Sequence, residues 1–205
     1  MPRIQVNLTS TGKLEFYRFF FTAEYSTDLY VLCSNLPMPR PYYTDRRNRR
    51  HYQQRASLWV GPTDYNYGRY VLPAISFRDP CLMVDGRYWL DDLRVKLEKF
   101  FGRRFNSCLF NYYESREDTV PWHADDESIF GESPFIVSVS FGGVRTFEVA
   151  EYVIGREIET QFSFNLNHGS VIVMSGDMQS FYKHRVPATV ESVEPRFNLT
   201  FRYVV

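Results

Sequence analysis

Cysteine is scarce, with three in 205 residues, at positions 33, 81 and 108. The count is odd and no two lie close together, which excludes a disulfide framework and a cysteine-based zinc site. A reducing compartment is expected, nuclear or cytoplasmic. No run of 18 apolar residues occurs and the N-terminus has no signal-peptide core, so a chain that crosses no membrane is expected. Net charge is absent too: 24 basic residues balance 24 acidic ones. Bulk charge therefore argues for neither nucleic acid nor membrane. Histidine is rare, at four residues, and each one bears inspection.

Aromatics are abundant, at 18%. Rings pack well on pleated sheets, so a β-rich fold is favoured. Hydrophobic residues reach 44%, enough for one cored domain over residues 1–205, with no sign of oligomerisation; a monomer is expected. The segment 22–34 reads as a helix with Thr22 as its cap and Tyr25, Leu29 and Leu32 on one face. The clearest helix is 88–101. Leu90, Leu93, Leu97, Phe100 and Phe101 form its stripe, and Gly102 stops it. Residues 58–75 suggest short strands or an ordered loop. Beyond Gly102, six Val/Ile/Phe-rich segments (107–113, 135–141, 145–152, 157–166, 170–175 and 196–205) read as strands between turns. Such a half-chain suggests a sandwich, jelly roll or barrel.

Charge is concentrated locally. Residues 40–55 read RPYYTDRRNRRHYQQR, with six arginines and one acid. The run suits contact with phosphates, and equally suits a solvated loop. The last strand, RFNLTFR, alternates: Arg196, Asn198, Thr200 and Arg202 on one face, Phe197, Leu199 and Phe201 on the other. Its polar face either meets water or lines a polar cavity. In a cavity its two arginines need anionic partners, such as a small dicarboxylate.

The sharpest pattern is VPWHADDE, residues 120–127. On an extended chain His123 and Asp125 leave by one face. His184, in FYKHRVP, is the best third ligand, while His51 and His168 lie in loop-like contexts and read as non-ligands. Two histidines and one carboxylate on one face of an ion are the mark of non-haem Fe(II) oxygenases. Two unrelated histidines are the plainer alternative.

These residues carry a resemblance. His123-X-Asp125, His184, Arg196 and Arg202, with the text around them over most of residues 104–203, resemble the AlkB-type iron- and 2-oxoglutarate-dependent dioxygenases of the nucleic-acid repair branch. The resemblance implies an α+β, mainly β fold: a double-stranded β-helix (jelly roll) with N-terminal helices and a substrate lid. Within one domain, residues 1–55 would be an N-terminal elaboration, 56–80 the lid and 104–205 the catalytic core. It implies Fe(II) on His123, Asp125 and His184. It implies 2-oxoglutarate chelating the iron and anchored through its far carboxylate by Arg196, with Asn111, Tyr113, Asn198 and Arg202 around it, and O2 as oxidant. Asp126 and Glu127 would face the exocyclic amine of a methylated base, where plain solvent exposure is the alternative. Trp59, Tyr65 and Tyr67 would be lid aromatics that stack on an extruded base, where a place in the core is the alternative. Arg46, Arg47, Arg49 and Arg50 would lie along the phosphate backbone of a DNA or RNA substrate. The implied activity is oxidative removal of N-linked alkyl groups from bases of the 1-methyladenine and 3-methylcytosine type, releasing formaldehyde. The rivals are an oxygenase of the same family acting on protein or lipid, a catalytically silent nucleic-acid-binding jelly roll, and a zinc hydrolase.

Overall fold

The computed structural model describes residues 3–205. Two sheets face each other, antiparallel throughout except that Ala74–Ile75 runs parallel to Ala56–Val60 at one edge. The larger has eight strands, in the order Ile4–Asn7, Lys13–Tyr17, Ser170–Ser175, Ile136–Gly142, Arg196–Arg202, Ser107–Tyr113, Ala56–Val60 and Ala74–Ile75. The smaller has four, in the order Val120–His123, Tyr182–Val186, Arg145–Glu151 and Phe162–Leu166. From Ser107 onward, consecutive strands alternate between the sheets except Arg145–Glu151 and Phe162–Leu166, which are neighbours in the smaller one, and this is the expected jelly roll.

The strands form where β-branched and aromatic residues cluster, and the expected boundaries fit closely. Ser107–Tyr113 and Ser170–Ser175 fall where the sequence puts them. The segment 157–166 is strand only from Phe162 to Leu166, because Gly155, at φ +80°, and the polar run after it form a loop. The N-terminal half holds more strand than expected. Lys13–Tyr17 pairs with Ser170–Ser175, and Ala56–Val60, assigned to the lid by the sequence, is an inner strand of the larger sheet, paired with Ser107–Tyr113. Long-range pairing of this kind leaves little local signal.

Helix Ala23–Ser34 is capped by Thr22, whose hydroxyl accepts from the Tyr25 N–H at 3.3 Å. Helix Trp89–Phe101 ends at Gly102, where φ of +64° favours a residue without a Cβ. Leu29 from one helix and Leu90, Leu93 and Leu97 from the other bury against Phe197, Leu199 and Phe201 of the larger sheet. Phe100 does not join that stripe fully and is half exposed. A second cluster, with Phe16, Phe147, Val149, Ile172 and Met174, fills the space between the sheets. The helices thus cover the back of the larger sheet, and its front face looks into the jelly roll. All seven residues of Arg196–Arg202 are buried. The polar face of that strand therefore lines an interior cavity.

Two short hairpins stand over the open end: Tyr42–Thr44 with Arg50–Tyr52, and Tyr65–Tyr67 with Tyr70–Leu72. The second lies inside the segment 56–80 expected to be the lid, and the first inside the expected N-terminal elaboration. No helix among the described residues is long and apolar enough to cross a membrane.

Candidate active site

His123 and His184 sit directly opposite each other on paired strands of the smaller sheet. Facing positions of an antiparallel pair bring side chains into contact, and the two imidazole centroids are 4.2 Å apart. Asp125 lies just past the strand end rather than on it. Two contacts turn it inward. Its N–H donates to Gln179 Oε1 at 2.9 Å, and its Oδ2 accepts from Arg202 Nη2 at 2.8 Å. One ligating atom from each of His123, Asp125 and His184 falls within 4.8 Å of the others.

The protonation states suit a cation. The His123 Nδ1–H donates to the Pro121 carbonyl at 2.9 Å, which leaves Nε2 as a lone-pair donor beside Asp125. Burial lowers the His123 pKa, and burial with the neighbouring imidazole pushes His184 down to about 3, so both rings are neutral. Burial disfavours the Asp125 carboxylate, but Arg202 and the two histidines outweigh it and hold the pKa well below the usual range. His184 Nδ1 is buried without a partner.

Below this trio a narrow cavity of about 40 Å³ reaches the front of the larger sheet. Arg196 forms its floor, 1% exposed. Its Nη2 donates to Ser140 Oγ at 2.9 Å, while Nε and Nη1 have no partner. Among the described residues no carboxylate lies within ion-pair distance of it. An unpaired buried guanidinium is costly and needs an anion. Tyr113 is packed between two cations, with the Arg196 and Arg145 carbons 4.9 and 5.6 Å from its ring centre. Asn198 is committed to Ser138, Val139 and Thr200. Asn111 Oδ1 accepts from Arg55 Nε at 2.6 Å and from Ser57, so its amide nitrogen carries its remaining bonding capacity. A larger cavity of about 750 Å³, beside Tyr30 and His168, gathers no such set of groups.

Residues 20–202 match the 2OG-Fe(II) oxygenase superfamily. The chain belongs to that superfamily. Fe(II), 2-oxoglutarate and O2 are therefore the cofactors of this oxygenase. It is 36% identical to the human alpha-ketoglutarate-dependent dioxygenase alkB homolog 3, an alignment covering 84% of this chain and 59% of the human protein. It is 41% identical to the DNA oxidative demethylase ALKBH2 of Arabidopsis thaliana, over 72% of this chain and 58% of that protein. The chain thus spans about three fifths of the curated relatives it matches. The solved structure of OsALKBH1 superposes with a TM-score of 0.53 at 15% identity, covering 98% of this chain and 100% of that one. A 2OG-Fe(II) oxygenase family oxidoreductase from Burkholderia pseudomallei gives 0.50 at 18%, over 98% and 84% of the two chains. These two likenesses concern the fold.

The residues present fit both groups. Three neutral or anionic donors converge, which suits a metal ion, and a buried guanidinium with two unpartnered donors suits a carboxylate. The oxygenase departs from its sequence reading elsewhere. Trp59 is 1% exposed, donates Nε1–H to the Thr63 carbonyl and packs on Tyr65 at 4.7 Å. It is core, because its strand is sandwiched in the larger sheet. Tyr65 is buried as well, and its hydroxyl donates to Glu127 Oε1 at 2.7 Å. Of the three rings only Tyr67 borders the cavity, edge-on to His123 at 6.5 Å. Asp126 is exposed, and Glu127 is partly sealed, with burial raising its pKa. Arg46, Arg47, Arg49 and Arg50 lie on the outer hairpin, away from the cavity. His51 bonds Asp45, and His168 accepts from the Gly142 N–H, so neither reaches the metal trio.

The sequence reading missed Arg55, Arg145 and Gln179. Arg55 ends the basic run, yet it is buried and borders the cavity. Its signal was alternation with Ser57, which faces Asn111 across the sheet. Gln179 had no signal, since its partner Asp125 is remote in sequence.

Proposed function

We propose that this oxygenase removes N-linked alkyl groups from nucleic-acid bases, with His123, Asp125 and His184 holding the iron and Arg196 anchoring the far carboxylate of 2-oxoglutarate. One observation carries the reading: a buried arginine with two unpartnered donors lies in the same cavity as a two-histidine, one-carboxylate cluster. A metal alone would not require that arginine, and an anion alone would not require the cluster. When bound there, the metal and keto acid supply the oxidation of an unactivated C–H bond by O2.

The chain's own groups do the positioning. Arg202 fixes the Asp125 carboxylate. Tyr113 and Asn111 line the cosubstrate cavity. Tyr67 offers a ring beside His123 against which an extruded base stacks, worth about 1–3 kcal/mol per base. Tyr65 fixes Glu127, and Asp126 with Glu127 supplies negative charge for a cationic base or an exocyclic amine. The surrounding apolar residues exclude water. The relatives' names support a nucleic-acid substrate: one is a DNA oxidative demethylase, and another an alkB homolog. DNA or RNA in the nucleus or cytoplasm, acted on by a monomer, completes the reading.

The test is mass spectrometry of oligonucleotides bearing 1-methyladenine or 3-methylcytosine, incubated with Fe(II), ascorbate and 2-oxoglutarate. Loss of one methyl group with stoichiometric succinate is expected, and His184→Ala abolishes both. Succinate release coupled only to a protein or lipid substrate would overturn the base-dealkylation reading.

A further inference from the structure

We propose that the concavity between the two hairpins grips the phosphodiester chain leaving the catalytic mouth, through Arg46, Arg47 and Arg69, and that Arg50 takes no part. The inference rests on the nucleic-acid reading above and names a contact surface for it.

The concavity measures about 700 Å³ and is walled by the Tyr43–Arg49 turn and by Arg69 of the other hairpin. Its sole acid is Asp45, which is already fully engaged. The Asp45 carboxylate accepts from the backbone N–H groups of Arg47 and Arg49, from the Arg49 side chain and from His51, at 2.9–3.0 Å. These bonds fix the turn and neutralise Arg49. Among the described residues Arg46, Arg47 and Arg69 have no carboxylate within 4.0 Å. Three arginines without a carboxylate partner therefore line one concave surface, and their planar forks suit phosphate oxygens.

Strand alternation decides which arginines belong. Tyr43 and His51 are cross-strand partners and stack at 4.9 Å on the face toward the second hairpin. Tyr43 also meets Tyr70 at 5.6 Å and carries Arg69 5.3 Å above its ring. Arg50 pairs with Thr44, on the opposite face, and lies 4.7 Å over Tyr42. Tyr70 is the hairpin partner of Tyr67, whose ring abuts His123. The second hairpin thus reaches both places: Tyr70 meets Tyr43 at the concavity, and its register partner Tyr67 meets His123 at the cavity. A strand whose target base stacks at Tyr67 passes its neighbouring phosphates over Tyr70 and Tyr43 into the arginine cluster.

The experiment is fluorescence anisotropy of the full chain with fluorescein-labelled twelve-nucleotide dT and U strands over a range of salt. Single-stranded binding changes by about 0.7 in log K per log salt for each phosphate neutralised. The combined variant Arg46→Ala, Arg47→Ala, Arg69→Ala should lower that slope by about 2 and weaken binding at least tenfold at low salt, about the same for dT and U. Arg50→Ala should keep the wild-type slope. A triple variant with the wild-type slope, a loss in Arg50→Ala equal to that of the triple variant, or a wild-type chain that binds neither strand would overturn the proposal. Methyl removal by the wild-type chain is measured separately. Binding with the expected slopes but no demethylation would sink the dealkylation reading and leave the clamp standing.

Discussion

Replacing Arg202 with methionine is the most informative single perturbation of the site. Arg202 and Asp125 form an ion pair with contacts at 2.8 and 3.3 Å, and both side chains are almost wholly buried. Methionine keeps much of the arginine stem's volume and removes the charge. Asp125 is then a buried carboxylate with no cationic partner in the metal-free protein. Breaking a buried pair from one side costs about 3–5 kcal/mol, because the remaining charge is stranded. With a urea dependence of about 2 kcal/mol per molar, the unfolding midpoint should fall by about 1.5–2.5 M. The sign with pH follows from the depressed Asp125 pKa. Its stabilisation is complete above the unfolded pKa of about 4 and is lost as pH falls through the folded value. The comparison therefore belongs at neutral pH, in chelator, by urea titration followed by tryptophan fluorescence. Adding Asp125→Asn should recover much of the loss, since a neutral amide is easier to bury. A single variant within about 1 kcal/mol of wild type, or a double variant no more stable than Arg202→Met, would refute the argument that this charge pair organises the site.

The other predictions concern separate groups. Arg196→Met should raise the KM for 2-oxoglutarate by about two orders of magnitude, since a charge-assisted anchor is lost, while Mn(II) affinity measured by electron paramagnetic resonance stays close to wild type; parallel losses in both would mean the arginine is a general support of the fold. Gln179→Met removes the acceptor of the Asp125 N–H and should weaken Mn(II) binding about 10–100-fold, an effect that unchanged affinity would rule out. Iodoacetamide should label Cys81 alone in the native protein, because Cys33 and Cys108 are buried. Burial and Asp79 push the Cys81 thiol up to about 11, so its labelling rate should still be rising at about pH 10; a plateau near neutral pH would contradict that environment.

The chemistry was legible in the sequence because it depends on residue types at short spacing. VPWHADDE put a histidine and a carboxylate together, and RFNLTFR put two arginines on one face of a strand. The helices were legible as well: Leu90, Leu93 and Leu97 recur at helical period, and Gly102 ends the stripe where a left-handed residue is needed. Alternation alone could not say whether Arg196 meets water or an interior, since a half-exposed strand and a cavity-lining strand have the same period.

Only the folded chain decided which distant residues face one another. Antiparallel register set His123 opposite His184 across 60 intervening residues. Packing of the larger sheet took Trp59 into the core, although as a lid aromatic it reads the same in sequence. The fold turned Arg50 away from the cluster that Arg69 joins. It also placed Gln179 against the backbone of Asp125. Local sequence fixes period, capping and charge. Partner choice depends on long-range pairing and burial, and no short window of residues encodes either.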